Sequence, residues 1–371
     1  MNPQPPLVNL SLQSLLQAEN LSQGDLKEIA TFVTGTSVVD WSRLHLETVP
    51  AVNEFLRVNG FNPNNLDDRE RVAAIHQAAV EYLISEFKVR LPAPLLNPER
   101  IQQVFLIASG NSTMQRKACM LLKVMLVINH MEARKLLYRL TVSERMLFKE
   151  VETKVEAAVE NMKDLGFPIE DFAKSRKTRK SIITKILTKE KNTAAQVFDR
   201  VRFRIVMKEP KDIIPAMYYL KKKLIPFNYV IPGESRNNLL TRETIFPQPA
   251  DGEVKGLDDA AKLALFENEF THPEYKVLSF VADIPLRIDR LLGDIDDAST
   301  LKLGNLVFIP AEFQLYDAVT WQNNESGPAS HELYKERQKD QVWGRLLANP
   351  GAKFGDADDN DPEDPDDTPK R

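Results

Sequence analysis

Apolar residues recur at three- and four-residue spacing through most of the first 140 positions of this 371-residue chain; beyond Gly166 the period shortens to two in several runs. From Leu7 to about Leu140 every clear signal is helical. Arg69 to Phe87 (RERVAAIHQAAVEYLISEF) gathers its apolar residues on one helical face. Asn97-Pro98-Glu99 predicts a helix start, with asparagine as the cap and proline in the first helical position, and Pro92-Ala93-Pro94 predicts a break before it. Thr141 with Glu144 three residues on reads as a capping box, opening a long helix that stops at Gly166.

After Gly166 the texture is mixed. Val201 to Met207, Lys276 to Asp289 and Leu306 to Tyr316 read as strands, and Asp212 to Leu224 as a helix between the first and the next. These elements predict an α+β fold: a mixed β-sheet flanked by helices, preceded by an all-helical N-terminal region over 1–140. Turn signals between Gly233 and His272, around an acidic amphipathic stretch from Leu257 to Phe270, read as an insertion in a domain spanning 141–347. No internal repeat is visible.

Composition narrows the class. The chain is 43% apolar and 27% charged, the balance of a soluble globular protein. Its formal net charge of -4 is concentrated at one end: the segment 348–371 closes on GDADDNDPEDPDDTPKR, whose self-repulsion and lack of an apolar anchor predict disorder. The single cysteine, Cys119, excludes an internal disulfide framework and a cysteine-based zinc site. Met1 to Leu10 has no basic region ahead of an apolar one, and the most apolar run, Ala118 to Ile128, is short and contains Lys123. A cytoplasmic protein is the simplest expectation.

Three clusters could carry chemistry. The run Lys174-Ser175-Arg176-Lys177-Thr178-Arg179-Lys180-Ser181, continued by Lys185, Lys189 and Lys191, fits a solvated helix face or a phosphate-binding patch. Alternation through Val201, Phe203, Ile205 and Met207 puts Arg200, Arg202 and Arg204 on the opposite face, as a cationic stripe or as partners of acids on a neighbouring strand. In IPAEFQLYD, alternation puts Glu312, Gln314 and Tyr316 on one face and Ile309, Ala311, Phe313 and Leu315 on the other. His331 has the acid–base range of histidine, with a structural role as the simpler expectation.

The segment EFQLYDAVTWQNNESGPASHELYK, Glu312 to Lys335, resembles the close of the synthetase domain of RelA/SpoT-type alarmone synthetases, E-[VI]-Q-I-R-T followed by G-x-A-[AS]-H-x-x-Y-K. Glu312, Gln314, Glu325, Gly327, Ala329, His331, Tyr334 and Lys335 fall in register without a gap. Lys177, Ser181, Ile182 and Lys185 match that family's R-x-K-x-x-x-S-I-x-x-K, with Arg176 one residue from the arginine position. Asp199 and Arg204 match D-[IL]-x-G-x-R-[IV], where Arg202 replaces glycine. The acceptor motifs are degenerate: Asn228-Tyr229-Val230 echoes D-Y-I without the following P-K, and Tyr275 has the place of the stacking tyrosine, with Glu274 for glycine and Ser279 for histidine.

The resemblance spans roughly Thr141 to Leu347 and implies a nucleotidyltransferase-like domain. It would transfer pyrophosphate from ATP to a ribose 3′-hydroxyl, of GDP or GTP first, or of an adenosine nucleotide or a tRNA 3′ end. It implies Mg2+ on Asp199 and Glu312, with Gln314 orienting. Donor contacts fall to Arg176, Lys177, Ser181, Lys185 and Arg204, and acceptor contacts to Tyr275 and Arg202. Without a His-Asp dipeptide before Thr141 the resemblance implies synthesis without the paired hydrolase. A catalytically silent nucleotide- or RNA-binding regulator is the reading from another class, favoured by Arg202 and the degenerate acceptor motifs.

Overall fold

The computed structural model describes residues 21–34, 46–110, 112–188, 200–245, 274–289, 303–326 and 331–347. Asp199, the acidic stretch from Leu257 to Phe270 and the acidic end of the chain lie outside the described residues. No described helix is long and apolar enough to cross a membrane.

Helices come first: α1 Gln23–Thr34, α2 Val49–Val58, α3 Leu66–Phe87, α4 Ala93–Leu96, α5 Gln102–Ser109, α6 Gln115–Arg139 and α7 Glu144–Asp164. Asn65 opens α3, its side chain accepting the Asp68 backbone N–H at 2.9 Å. Two expected starts move. Asn97 closes α4, donating its N–H to the Ala93 carbonyl, so its backbone is already committed; α5 begins only at Gln102. Ser143, not Thr141, caps α7 by accepting from the Met146 N–H, which makes Glu144 the first helical residue rather than the closing member of a capping box. The stop at Gly166 holds. Its φ of 83° lets the Phe167 N–H reach back to the Met162 carbonyl at 3.0 Å.

Then follow β1 Ile169–Arg176, α8 Arg179–Thr188, β2 Val201–Met207, α9 Ile213–Lys223, β3 Arg236–Asn237, α10 Arg242–Ile245, β4 Leu278–Arg287, β5 Leu306–Asp317, α11 Ala318–Ser326 and α12 His331–Leu346. β1 was not expected. Lys174, Ser175 and Arg176 lie in it, because an antiparallel ladder from Ile169↔Met207 to Arg176↔Val201 overrides their weak strand propensity. The architecture is α+β, with one five-stranded mixed sheet in the order β1-β2-β5-β4-β3. β2 and β5 run parallel; the other neighbours are antiparallel.

Alternation sorts the strands' two faces. Phe172, Phe203, Phe313 and Phe280 line up across β1, β2, β5 and β4, with successive ring centroids 6.4, 5.4 and 5.6 Å apart. Rings at these separations add attraction beyond the area they bury. This apolar face belongs to one core continuous with the helices before Leu140, from Leu26 to Leu315. Phe308 shares the other face of β5 with Glu312 and Gln314, where the rings of Tyr229 and of His130 on α6 pack tilted against it, with centroids 4.4 and 5.1 Å away.

The described elements divide into two compact units. One holds α1 to α7, all five strands, α9, α10 and the start of α11; the other holds α8, Tyr275, the end of α11 and α12. Within the second, α8 packs against α12.

Candidate functional site

The parallel pairing of β2 with β5 sets Arg202 directly opposite Glu312 and Arg204 directly opposite Gln314. All four side chains stand on the face opposite the phenylalanines, as alternation predicts. Arg202 donates from Nε to Glu312 Oε2 at 2.7 Å, with the two side chains 29% and 13% exposed. Gln314 donates from Nε2 to Glu312 Oε1 at 2.8 Å. Tyr316, fully buried, donates its hydroxyl to Gln314 Oε1 at 3.3 Å. This chain of donors fixes the amide: with its oxygen turned to the tyrosine, its NH2 must face the carboxylate.

Arg204 is held on two sides. It donates from Nη2 to Asp171 Oδ2 of β1 at 2.9 Å, and its guanidinium lies 3.8 Å from the centroid of the Trp321 ring, a cation–π contact. Its Nε is buried without a hydrogen-bond partner. Arg176, at the end of β1, binds Glu152 of α7 bidentately at 2.5 and 2.9 Å, and Lys174 meets Glu156 at 2.5 Å. The hydrogen bonds from Arg176 hold the Glu152 carboxyl below its ordinary range, and raise Arg176 in turn.

The expected arginine stripe therefore has two members. Arg200 precedes β2 and turns to α7, bonding Glu144 and lying 5.4 Å from the Phe148 ring. Of the other expected site residues, Lys177 follows β1, and Ser181 and Lys185 sit one helical turn apart on α8. The Ser181 N–H is capped by Thr178 Oγ1 at 3.2 Å. Tyr275 is half-buried shortly before β4, and His331 opens α12. Lys177, Ser181, Lys185 and Tyr275 belong to the second unit. Asp171, Trp321, Glu152 and Tyr316 contact the expected site residues without having been singled out as site residues themselves. Tyr316 was at least legible by alternation with Glu312; Trp321 reaches Arg204 across 117 positions, which no local pattern reports.

Of the two expected Mg2+ ligands, Asp199 lies outside the described residues, and Glu312 stands with its charge compensated, a poor fit to a resident Mg2+. Both oxygens of Glu312 are engaged, one by a permanently charged guanidinium, and a hard dication asks for carboxylate oxygens whose charge is uncompensated. Asp171, the nearest carboxylate across β2, is bonded to Arg204. Among the described residues no group of three or more His, Cys, Asp or Glu could hold a metal ion.

No protein-family model matches the chain, and no curated protein matches it. Among solved structures the chain is similar to small alarmone synthetase 1 from Bacillus subtilis, at 15% identity and a TM-score of 0.29, covering 55% of this chain and 87% of that one. It is similar to small alarmone synthetase 2 from the same organism at 15% identity and a TM-score of 0.31, over 56% of this chain and 91% of that one. A GTP pyrophosphokinase family protein from Streptococcus pneumoniae matches at 14% identity and a TM-score of 0.27, over 55% of this chain and 84% of that one.

Proposed function

We propose that the polar sheet face is the nucleoside-polyphosphate site of a RelA/SpoT-like nucleotidyltransferase, which moves pyrophosphate from ATP to a ribose 3′-hydroxyl, of GDP or GTP in the leading reading. The observation that carries it is the in-register quartet Arg202, Arg204, Glu312 and Gln314, built from two separate sequence motifs of that family. Two guanidiniums side by side suit the paired oxygens of a polyphosphate, which a planar fork of donors can grip in a fixed orientation. Such transfers ask for positioning and charge stabilisation more than for covalent help from the protein.

In this reading the 3′-oxygen bonds to the β-phosphorus of ATP, the bond from that phosphorus to the α-phosphate oxygen breaks, and AMP leaves. Glu312 accepts the hydroxyl proton on a lone pair its two hydrogen bonds do not use. Gln314, anchored by Tyr316, keeps the carboxylate in one rotamer while this happens. Arg204, clamped between Asp171 and Trp321, holds donor phosphate.

The test is a thin-layer assay of the full chain with labelled ATP, offering GDP, GTP, adenosine nucleotides and bulk tRNA in parallel. Transfer to one acceptor, reduced at least ~100-fold in Glu312→Gln, is the expected result for a lost general base. Transfer that survives Glu312→Gln unchanged would remove that residue from the chemistry. The Arg202–Glu312 pair favours a second reading, a binding regulator without turnover, and labelled ATP that binds but never transfers would establish it.

A further inference from the structure

We infer that Arg202 supplies at Glu312 the positive charge a divalent cation would, so that the polar face takes its polyphosphate without a metal ion on that carboxylate. The inference rests on the reading of this face as a nucleotide site and concerns what neutralises it.

Parallel pairing puts Arg202 and Glu312 at the same level of adjacent strands, so the 2.7 Å contact needs no reach and is set by the backbone. Gln314 takes the second carboxylate oxygen, and it is anchored in turn by a fully buried tyrosine. The carboxylate is thereby held in one rotamer with its charge compensated. Arginine cannot shed its proton in a protein, so this compensation persists at any working pH. A dication approaching Glu312 Oε2 would be repelled by that guanidinium's charge.

Two residues along β2, Arg204 bonds Asp171 of β1, which lies diagonal to it in the ladder. Among the described residues, Glu312 and Asp171 on this face are thus each the counter-ion of an arginine. The guanidiniums are the cationic groups of this face that an anion would meet, and Arg202 is 29% exposed. A glycine at position 202 would strip Glu312 of its cation and leave a bare carboxylate on the open face, the kind of ligand a hard cation takes.

Calorimetry with ATP and with inorganic tripolyphosphate, each in EDTA and in MgCl2, tests the binding half. Electron paramagnetic resonance of Mn2+ titrated onto protein without nucleotide tests the ion half. The wild type should bind ATP in EDTA within about threefold of its affinity in Mg2+, and Arg202→Ala should lose about 10- to 100-fold in EDTA, the worth of one or two charge-assisted hydrogen bonds. Arg202→Lys, which keeps the charge, should recover part of that loss, a rescue that a merely structural role would not give. Mn2+ should bind Arg202→Gly and neither the wild type nor the double variant Arg202→Gly, Glu312→Gln.

ATP binding by the wild type that EDTA abolishes, or Mn2+ binding equally to the wild type and Arg202→Gly, overturns the inference. Absence of ATP binding in both buffers instead overturns the nucleotide reading of the face. The Mn2+ arm then decides alone whether Arg202 keeps dications off Glu312.

Discussion

Replacing Glu152 by glutamine removes the acid that ties β1 to α7. The carboxylate is 9% exposed and receives Arg176 at 2.5 and 2.9 Å, with Lys174 3.7 Å away, while Arg176 is 33% exposed. Breaking a buried pair costs about 3–5 kcal/mol and an exposed one about 0–1. With one partner buried and the other a third open to water, about 2 kcal/mol is expected at pH 7. The pair also predicts the pH dependence. Arg176 holds the Glu152 carboxyl below its ordinary 4.5, so its contribution is complete above about that pH and is lost as pH falls through the lower folded value. Urea unfolding followed by far-UV circular dichroism should show a lower midpoint for Glu152→Gln at neutral pH, with the gap narrowing in acid below 4.5. Equal midpoints at neutral pH, or a gap that does not change in acid, would refute the assignment. Arg176 is level with Val201, on the sheet face away from Arg202 and Glu312, so the ATP affinity of the variant should stay unchanged, against the expected donor contact.

Other changes have different signatures. Lys221 is 3% exposed and bonds both Asp25, at 3.0 Å, and Glu28, itself 4% exposed. Lys221→Met should therefore cost about 3–5 kcal/mol in urea, since it removes the buried cation that Glu28 and Asp25 share. Burial pushes the Asp25 carboxyl up, yet Lys221, Ser22 and Lys222 together bring it below its ordinary 3.8. The share of stability that Asp25 provides should then fade only as pH drops through a value lower than that. Trp321→Ala removes the ring 3.8 Å from the Arg204 guanidinium and should weaken ATP binding by about 1 kcal/mol, roughly fivefold in Kd, in the same calorimetry; an unchanged Kd would detach Trp321 from the site.

What the sequence made legible followed from short-range periodicity. Alternation separates Phe203 from Arg202 and Phe313 from Glu312 without any knowledge of partners, and the strands appear within a residue or two of their expected bounds. Gly166 declares the end of α7 because only a residue tolerant of positive φ closes a helix in that way. What stayed hidden depends on distant partners. Lys174 to Arg176 have weak strand propensity and become strand only because β2 offers them a ladder, and nothing between positions 202 and 312 announces that those two residues are level. The cap of α7 was misplaced by two residues for the opposite reason. Thr141 and Ser143 are both competent caps, and the choice between them depends on where the preceding chain leaves α6.

Arg202 shows how much turns on one such pairing. As a departure from a glycine it reads, in sequence, as bulk and charge intruding on a cleft. Level with Glu312, the same residue becomes the counter-ion that lets a carboxylate stand on an open sheet face at 13% exposure without carrying net charge there. Arg204 with Asp171 repeats that matching of a cation with an acid, whereas Lys174 and Arg176, level with Phe203 and Val201, stand on the opposite face and meet Glu156 and Glu152 of α7. An anion arriving on such a surface is not drawn by a net field. It must compete donor by donor with carboxylates already in place, and that competition rewards a ligand presenting several closely spaced oxygens in the geometry of a guanidinium fork, as a polyphosphate does, over a single diffuse charge.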